Sequence, residues 1–380
     1  MDSVKVKRCF EIVFRVIIGL TFIFSGFVKS VDPYGTAFKI EEYLNVFGFN
    51  FLLDIGDWVP LVISIALCSL EFIIGIMLVS FVFKTWVNWI TVTMMVFFTI
   101  LTFLDAMTNK VSDCGCFGDA IKLTNWETFW KNIILDGLLL VVLILSNKER
   151  RNRLELLYSD TYKMVVIVLV LCFSTFNAVY EPLIDFRPWK EGNRIAPRIE
   201  DQKPPISYAE YKNNSTGEVK EFDMDELMKA YEQDTAFATN WTFVNSRVIN
   251  SNKINADGFS MQGFGSTKDE ALEILSQKDT LFMLVVVDLD KASNRSMKRV
   301  KEFKARLANG NYKYVVLTSS AQSKWEAWKQ KHSLKTATLY SSDDKALKTM
   351  IRSCPGVVMM CDGVVLEKWS WRYLPELDKK

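Results

Sequence analysis

The chain is poor in the residues that most often run acid–base and metal chemistry near neutral pH. It has one histidine, His332, in 380 residues. A single imidazole leaves no Ser-His-Asp triad in the first half of the chain and argues against a His-based metal site. The seven cysteines are too few for a disulfide framework, and their scatter matches no zinc spacing, so no metal is expected. Charge of one sign is missing as well: 46 Lys+Arg against 44 Asp+Glu leave a net +2. No Lys/Arg stripe interleaved with aromatics is present, which argues against nucleic acid as a partner.

What the chain does have is apolar sequence, unevenly spread. Its 49% hydrophobic content and mean hydropathy of +0.10 average two unlike halves. Before about residue 181 apolar runs dominate; after it the composition is that of a soluble protein. The length predicts two or three domains. A membrane-spanning helix needs roughly 20 mostly apolar residues. Five stretches qualify, at about 10–29, 59–82, 86–106, 127–146 and 162–180. The first follows Lys5, Lys7 and Arg8, but its far end, Ser25-Gly26-Phe27-Val28-Lys29, offers no A-x-A type cleavage site and is kept as a helix.

Orientation follows the basic residues. Lys5, Lys7 and Arg8 precede the first span, Lys84 joins the second to the third, and Lys148, Arg150, Arg151 and Arg153 follow the fourth. Five alternating spans put all of these on one side, the cytoplasmic one. Loops 30–58 and 107–126, and everything after 181, then lie outside, on the periplasmic or extracellular face of an inner (cytoplasmic) membrane. Within the spans stand Arg15, Glu71 and Asp136, with Glu11 and Asp105 nearer the ends. Ionisable groups at membrane depth normally face the bundle interior with a partner. Arg15 and Glu71 are read either as a structural ion pair or as a site for a proton or a quinone head group. Asp136 has no evident cationic partner, so desolvation is expected to favour its neutral form.

The outer loop 107–126 holds Asp113-Cys114-Gly115-Cys116-Phe117-Gly118-Asp119. Two cysteines one residue apart can meet disulfide geometry only on a bent backbone, which Gly115 permits. Such a bridge is easily reduced and suits exchange chemistry. A tight turn whose thiols merely pack, or a static bridge, is the alternative. The flanking Asp113 and Asp119 disfavour a strongly activated thiolate. Cys9, Cys68 and Cys172 fall at or within spans, where packing is their expected role.

Several spaced motifs follow one another in order: Arg15, Gly19, Ser25-Gly26 and Lys29, then Asp32-Pro33, Lys39-Ile40-Glu41-Glu42-Tyr43-Leu44, and Leu70-Glu71 with Gly75. Together they resemble the DoxX family of small membrane proteins. Cys114-Gly115-Cys116-Phe117-Gly118, followed by Leu123-Thr124 and Trp126, resembles its relative, the methylamine utilisation protein MauE. The resemblance covers residues 8–146. It implies a four-helix membrane unit tied to redox maturation of exported proteins, with links to thiol, sulfur and quinone chemistry.

In the second half, Pro182, Pro188, Pro197, Pro204 and Pro205 mark 181–205 as an extended linker along the membrane surface. Tyr208–Lys212 and Glu218–Phe222 alternate around Asn213–Gly217, a hairpin signal, and Asp223 is placed to cap a helix running to Gln233. Asn214 and Asn240 stand in N-x-S/T sequons. Leu281–Val287 and Tyr312–Leu317 read as buried strands. Ser293–Leu307, Ala321–Lys331 and Asp343–Ile351 read as helices. Gly356–Cys361 and Val364–Trp369 form a hairpin through Asp362-Gly363. This order, with Cys354-Pro355 before the penultimate strand, resembles the thioredoxin fold over about 256–372. The resemblance implies a cis proline at Pro355 and a C-x-x-C after the first core strand. Asp290-Lys291-Ala292-Ser293-Asn294 stands there instead, without a thiol. Cys354 then lies beside the vacant position, either filling a turn or docking a client thiol.

The expected fold is therefore an α-helical membrane bundle followed by an exported α/β thioredoxin-like domain. The expected divisions are 1–150, a four-helix DoxX/MauE-like unit; 151–205, the fifth helix and linker; 206–255, a hairpin and helix extension; and 256–380, the thioredoxin-like domain. The leading functional expectation is a quinone-linked thiol-disulfide helper in the lipid bilayer. Cys114 and Cys116 form its redox pair, Arg15, Glu71 and Asp136 its quinone or proton site, and Cys354-Pro355 its contact with an exported client protein. The rival is a membrane-anchored assembly module without catalysis.

Overall fold

Lipid offers no hydrogen bonds to an open backbone, so long apolar runs are stable there as helices. The computed structural model describes residues 2–56, 58–81, 85–111, 115–145, 160–203, 206–234, 236–249, 252–310, 312–334 and 337–376. Asp113, Cys114 and the basic residues Lys84, Lys148, Arg150, Arg151 and Arg153 lie outside the described residues. Two compact units result, 1–187 and 188–380.

The first unit contains five helices long and apolar enough to span a bilayer: α1 (Asp2–Val31), α4 (Val59–Val79), α5 (Thr85–Thr108), α6 (Asn125–Leu145) and α7 (Asp160–Val179). It is a multi-pass membrane protein. Helices α1 and α4 approach so closely that a Cβ on Gly26 would lie 2.4 Å from the Phe72 nitrogen, and one on Gly75 2.5 Å from the Ile23 nitrogen. Small residues at such crossings let helices gain contact where lipid supplies no hydrophobic drive between them. Ile18, Phe22, Ile74, Leu78, Met95 and Leu135 fill the space between α1, α4, α5 and α6. Val170 of α7 packs with Ile73 and Met77 of α4.

The segment 30–58, read from the sequence as a loop, is largely helical. Asp32 accepts the Gly35 N–H at 3.2 Å and Pro33 occupies the first turn of α2 (Pro33–Val46), followed by α3 (Phe51–Ile55). Asp-Pro is a helix start by its chemistry, a carboxylate cap followed by a residue that needs no N–H partner. Ser64 of α4 donates to the Pro33 carbonyl at 2.7 Å and ties α2 down.

The second unit carries two sheets. Strands β1 (Ile206–Asn213), β2 (Val219–Asp223) and β3 (Trp241–Ile249) pair antiparallel in the order β2-β1-β3. Asp223 accepts the Glu226 N–H at 2.7 Å and starts α8 (Met224–Gln233), as its position predicts. The larger sheet has the order β6-β5-β4-β7-β8, from β4 (Leu281–Val285), β5 (Lys313–Thr318), β6 (Thr338–Ser341), β7 (Gly356–Cys361) and β8 (Val364–Ser370). Strands β4, β5 and β6 are parallel, β7 runs antiparallel to β4, and β8 runs antiparallel to β7. Helices α9 (Asn294–Asn309), α10 (Trp325–Lys331) and α11 (Asp344–Met350) complete it. Met283 and Val285 face one core with Met261 and Leu347, whereas Phe282 and Leu284 face another with Phe303, Trp325 and Trp328. This period of two places β4 between layers, as in a thioredoxin-like fold. Strand β6 and strand β3 were not visible in the sequence pattern.

The proline-rich stretch is not a surface linker throughout. Trp189, Ile195 and Ala196 are buried in the core of the second unit, and the Ile195 N–H donates to the Gly363 carbonyl at 2.7 Å. The apolar side chains between the prolines find a place on the sheet, and that gain outweighs the irregular backbone.

Gly26→Ala is expected to lower the thermal midpoint of the detergent-solubilised protein, at a cost of about 1–3 kcal/mol from overpacking. Gly137→Ala, where an added Cβ meets nothing within 4 Å, is the control and should leave the midpoint unchanged or slightly raised. Equal midpoints for the two variants would show that the helix crossing is looser than described.

Candidate functional site

The Cys116 loop is held on the C-terminal end of α1. Gly115 and Gly118 adopt φ of +63° and +52°, the left-handed region that glycine enters without steric cost. The Gly118 N–H donates to the Gly115 carbonyl at 2.9 Å. Phe117 packs against Phe24, with centroids 5.4 Å apart, and Lys131 sits over its ring at 4.5 Å. The Ser25 hydroxyl donates to the Cys116 carbonyl at 2.5 Å. These contacts place Cys116 at the bundle end; Cys114 lies outside the described residues.

Beneath the loop lies an ion pair that the sequence did not assign. Lys29 Nζ donates to Glu71 Oε2 at 2.8 Å, and both side chains are buried. Lys29 also stands 5.4 Å from the Phe98 ring centroid. Of the two readings of Arg15 and Glu71, the direct ion pair is not found: Arg15 lies 3.7 Å from Glu11. Arg15 and Lys29 are about four turns apart on α1, and α1 crosses α4 with Gly26 against Phe72, so Lys29 is the cation at the level of Glu71. Asp136 accepts the Thr99 hydroxyl at 2.7 Å, away from that pair. Arg15, Glu71 and Asp136 are thus not brought together. Lys29 stood in the quoted motif, but its place at a helix end read as a boundary. Its spacing from Ser25 and the lone carboxylate in the second span were the available signal.

Ser25, Lys29, Glu71, Cys116 and Asn132 surround a cavity of about 20 Å3, room for one water. A larger cavity of about 410 Å3 opens beside it, with Cys116, Lys29 and Asp119 in its wall together with residues of α2, α4, α5 and the 182–187 segment. Tyr43, also in the wall, donates its hydroxyl to the Asp105 carboxylate. Arg187 is 2% exposed. Its Nε and Nη2 donate to the two Asp185 oxygens at 2.7 and 2.9 Å, and Nη2 lies 3.5 Å from Glu181. Burial works to lower the Arg187 pKa, but Asp32, Asp185 and Glu181 outweigh it and hold the guanidinium above its usual range.

In the second unit, the connection from β4 to α9 carries no cysteine, and Ser293 caps α9 by accepting the Ser296 N–H at 3.1 Å. The Cys354–Pro355 bond is cis. Cys354 lies against Val287 and Asp288 at the end of β4, between the two cores, as its position before the proline implies. Burial pushes its thiol up, against backbone hydrogen bonds at Asp288 and Val287. A thiol so placed is a weak nucleophile at neutral pH.

The fold and these sites define a five-helix membrane protein with a thioredoxin-like domain that lacks the dithiol. Residues 7–146 match the family model of the methylamine utilisation protein MauE, so this unit is MauE-like. Comparison with curated proteins finds no match. Among solved structures, the C-terminal part is similar to the C-terminal domain of a chain described as a thiol-disulfide oxidoreductase from Bacteroides thetaiotaomicron. Identity there is 12%, coverage 30% of this chain and 83% of that one, and TM-score 0.24. It is also similar to a protein described as a thioredoxin from Neisseria meningitidis, with 17% identity, coverage of 30% and 78%, and TM-score 0.23.

Lys29→Met alone strands the Glu71 carboxylate, and Glu71→Gln alone strands the Lys29 ammonium. Each is expected to cost about 3–5 kcal/mol of stability, whereas the double change Lys29→Met/Glu71→Met recovers most of it. Thermal unfolding in detergent reads both. Additive losses in the double variant would show that the two side chains are not coupled.

Proposed function

We propose that the protein is a thiol-disulfide redox helper for exported proteins, embedded in the inner membrane with the Cys114/Cys116 loop and the second unit on the outer face. The observation that carries this reading is the position of Cys116: in a MauE-like bundle, on the wall of a largely apolar cavity of about 410 Å3. That volume is in the range of small-ligand sites.

In this reading a Cys114–Cys116 disulfide accepts two electrons from a client dithiol. The client sulfurs become joined, and the loop cysteines become thiols carrying the two protons. Quinone in the cavity supplies the acceptor for those two electrons and two protons when the loop disulfide re-forms. Lys29, Val28 and Cys116 bound the site, while Phe97 and Phe98 exclude water from it. The Lys29 cation, already paired with Glu71, favours electron-rich groups at the loop without an uncompensated charge. Arg15, Glu71 and Asp136 are not among the lining residues; Arg15 and Asp136 drop out of this assignment, and Glu71 enters it only as the partner of Lys29.

The second unit serves client binding in this scheme. Its sheet presents Pro355 and the half-buried Cys354 where a thioredoxin presents its substrate groove, and no cysteine stands at 290–294. That same observation favours the rival reading, in which the protein assembles partners without electron transfer.

Alkylation trapping in cells is expected to show Cys114 and Cys116 moving from reduced to oxidised as quinone supply is restored. Cys114→Ser/Cys116→Ser is expected to leave free thiols accumulating in at least one exported protein. Loop thiols frozen in one state, with client disulfides unaffected, would move the balance to the assembly reading.

A further inference from the structure

The large cavity of the membrane unit has walls of two kinds. Its polar groups come from α1, α2, the Cys116 loop through Asp119, and the 182–187 segment, the last of which lies outside the MauE-like match. Its apolar wall comes from α4 and α5, through Ile63, Leu67, Phe97 and Leu101. Ile63 and Phe97 line the cavity and are also exposed, at 37% and 54%, on helices that qualify as spans. A side chain that faces both the cavity and the outer surface of a spanning helix marks an opening to lipid. The opening lies between α4 and α5, since α5 packs chiefly on α6.

Arg187 supplies the second observation. It lines the cavity, is almost wholly buried, and its Nη1 has no hydrogen-bond partner. A buried donor without an acceptor is rare in a folded protein and calls for a ligand or water. The charge around it restricts the ligand. Asp185 and Glu181 pair with the guanidinium and Asp32 lies near it, so its positive charge is already more than matched. An added anion would meet net negative surroundings. A cation has no lone pair to accept from Nη1 and would meet the charge of the guanidinium itself. A neutral acceptor, a carbonyl oxygen, meets neither objection.

We propose that Arg187 donates through Nη1 to a carbonyl oxygen of a neutral, bilayer-soluble ligand that enters the cavity between α4 and α5. This rests on the quinone reading above and adds to it the residue that reads the ring and the route by which it arrives. No covalent step is involved; the role of Arg187 is recognition.

The test uses the purified full chain in detergent and a decyl-tailed benzoquinone as probe, with binding measured by equilibrium dialysis rather than by turnover. The unaltered protein is expected to bind the probe, and palmitate is expected not to displace it. Arg187→Met should weaken binding at least ten-fold, with Arg187→Lys intermediate. Ile63→Trp, at the exposed mouth and away from the buried charges, should weaken it to a similar degree while the thermal midpoint holds. Should Arg187→Met not fold, Arg187→Lys and Ile63→Trp carry the test. Unchanged affinity in the folded variants, or competitive displacement by palmitate, overturns this inference and leaves the quinone reading standing. No binding by the unaltered protein overturns both.

Discussion

The membrane unit depends on one buried contact, the ion pair between Lys29 and Glu71. A charge at that depth is stable only beside its opposite, so the pair sets the level at which α1 and α4 meet. Gly26 and Gly75 let the two backbones close to contact around it. Once that register is set, Ser25 and Val28 stand at the end of α1, where the Cys116 loop comes down. The loop then needs little of its own: two glycines in left-handed conformations, one hydroxyl on the Cys116 carbonyl, and a phenylalanine held between Phe24 and Lys131.

The same register opens the cavity. Helix α2, started by Asp32 and tied down by Ser64, roofs a space that α4 and α5 wall with apolar side chains. Segment 182–187 folds Arg187 into that space under two carboxylates. Cys116, Lys29 and Arg187 therefore line one largely apolar cavity, although they come from three separate stretches of chain. This proximity gives the proposed redox role its physical basis: a thiol pair at a membrane face needs an acceptor within reach, and an apolar ligand needs a path from lipid.

The second unit is a different case, a thioredoxin-like sheet whose turn from β4 to α9 carries no cysteine. The strand order and directions and the cis Cys354–Pro355 bond are those of a thioredoxin-like domain. The turn into α9 is capped by a serine where a dithiol would stand. Burial pushes the Cys354 thiol up. In the proposed function the domain binds what the membrane loop oxidises.

Much of this was legible in the chain alone. Twenty-residue apolar runs read as spans, and all five coincide with long helices, although α1 begins eight residues before its apolar run. Caps and turns with a local mechanism, Asp223 before α8 and Asp362-Gly363 between β7 and β8, also read directly. So did the motifs over residues 8–146 that resemble DoxX and MauE, where the MauE family model matches residues 7–146. What the sequence could not decide was which groups meet across helices. Glu71 had two cations on α1 to choose from, about four turns apart, and only the glycine-mediated crossing selects Lys29 over Arg15. Nor could composition tell that Trp189 and Ile195 leave a proline-rich stretch to enter a core, or that Arg187 turns inward. Local signals act within a few residues along the chain. Pairing, burial and cavities are set by packing between distant segments, which only the tertiary structure decides.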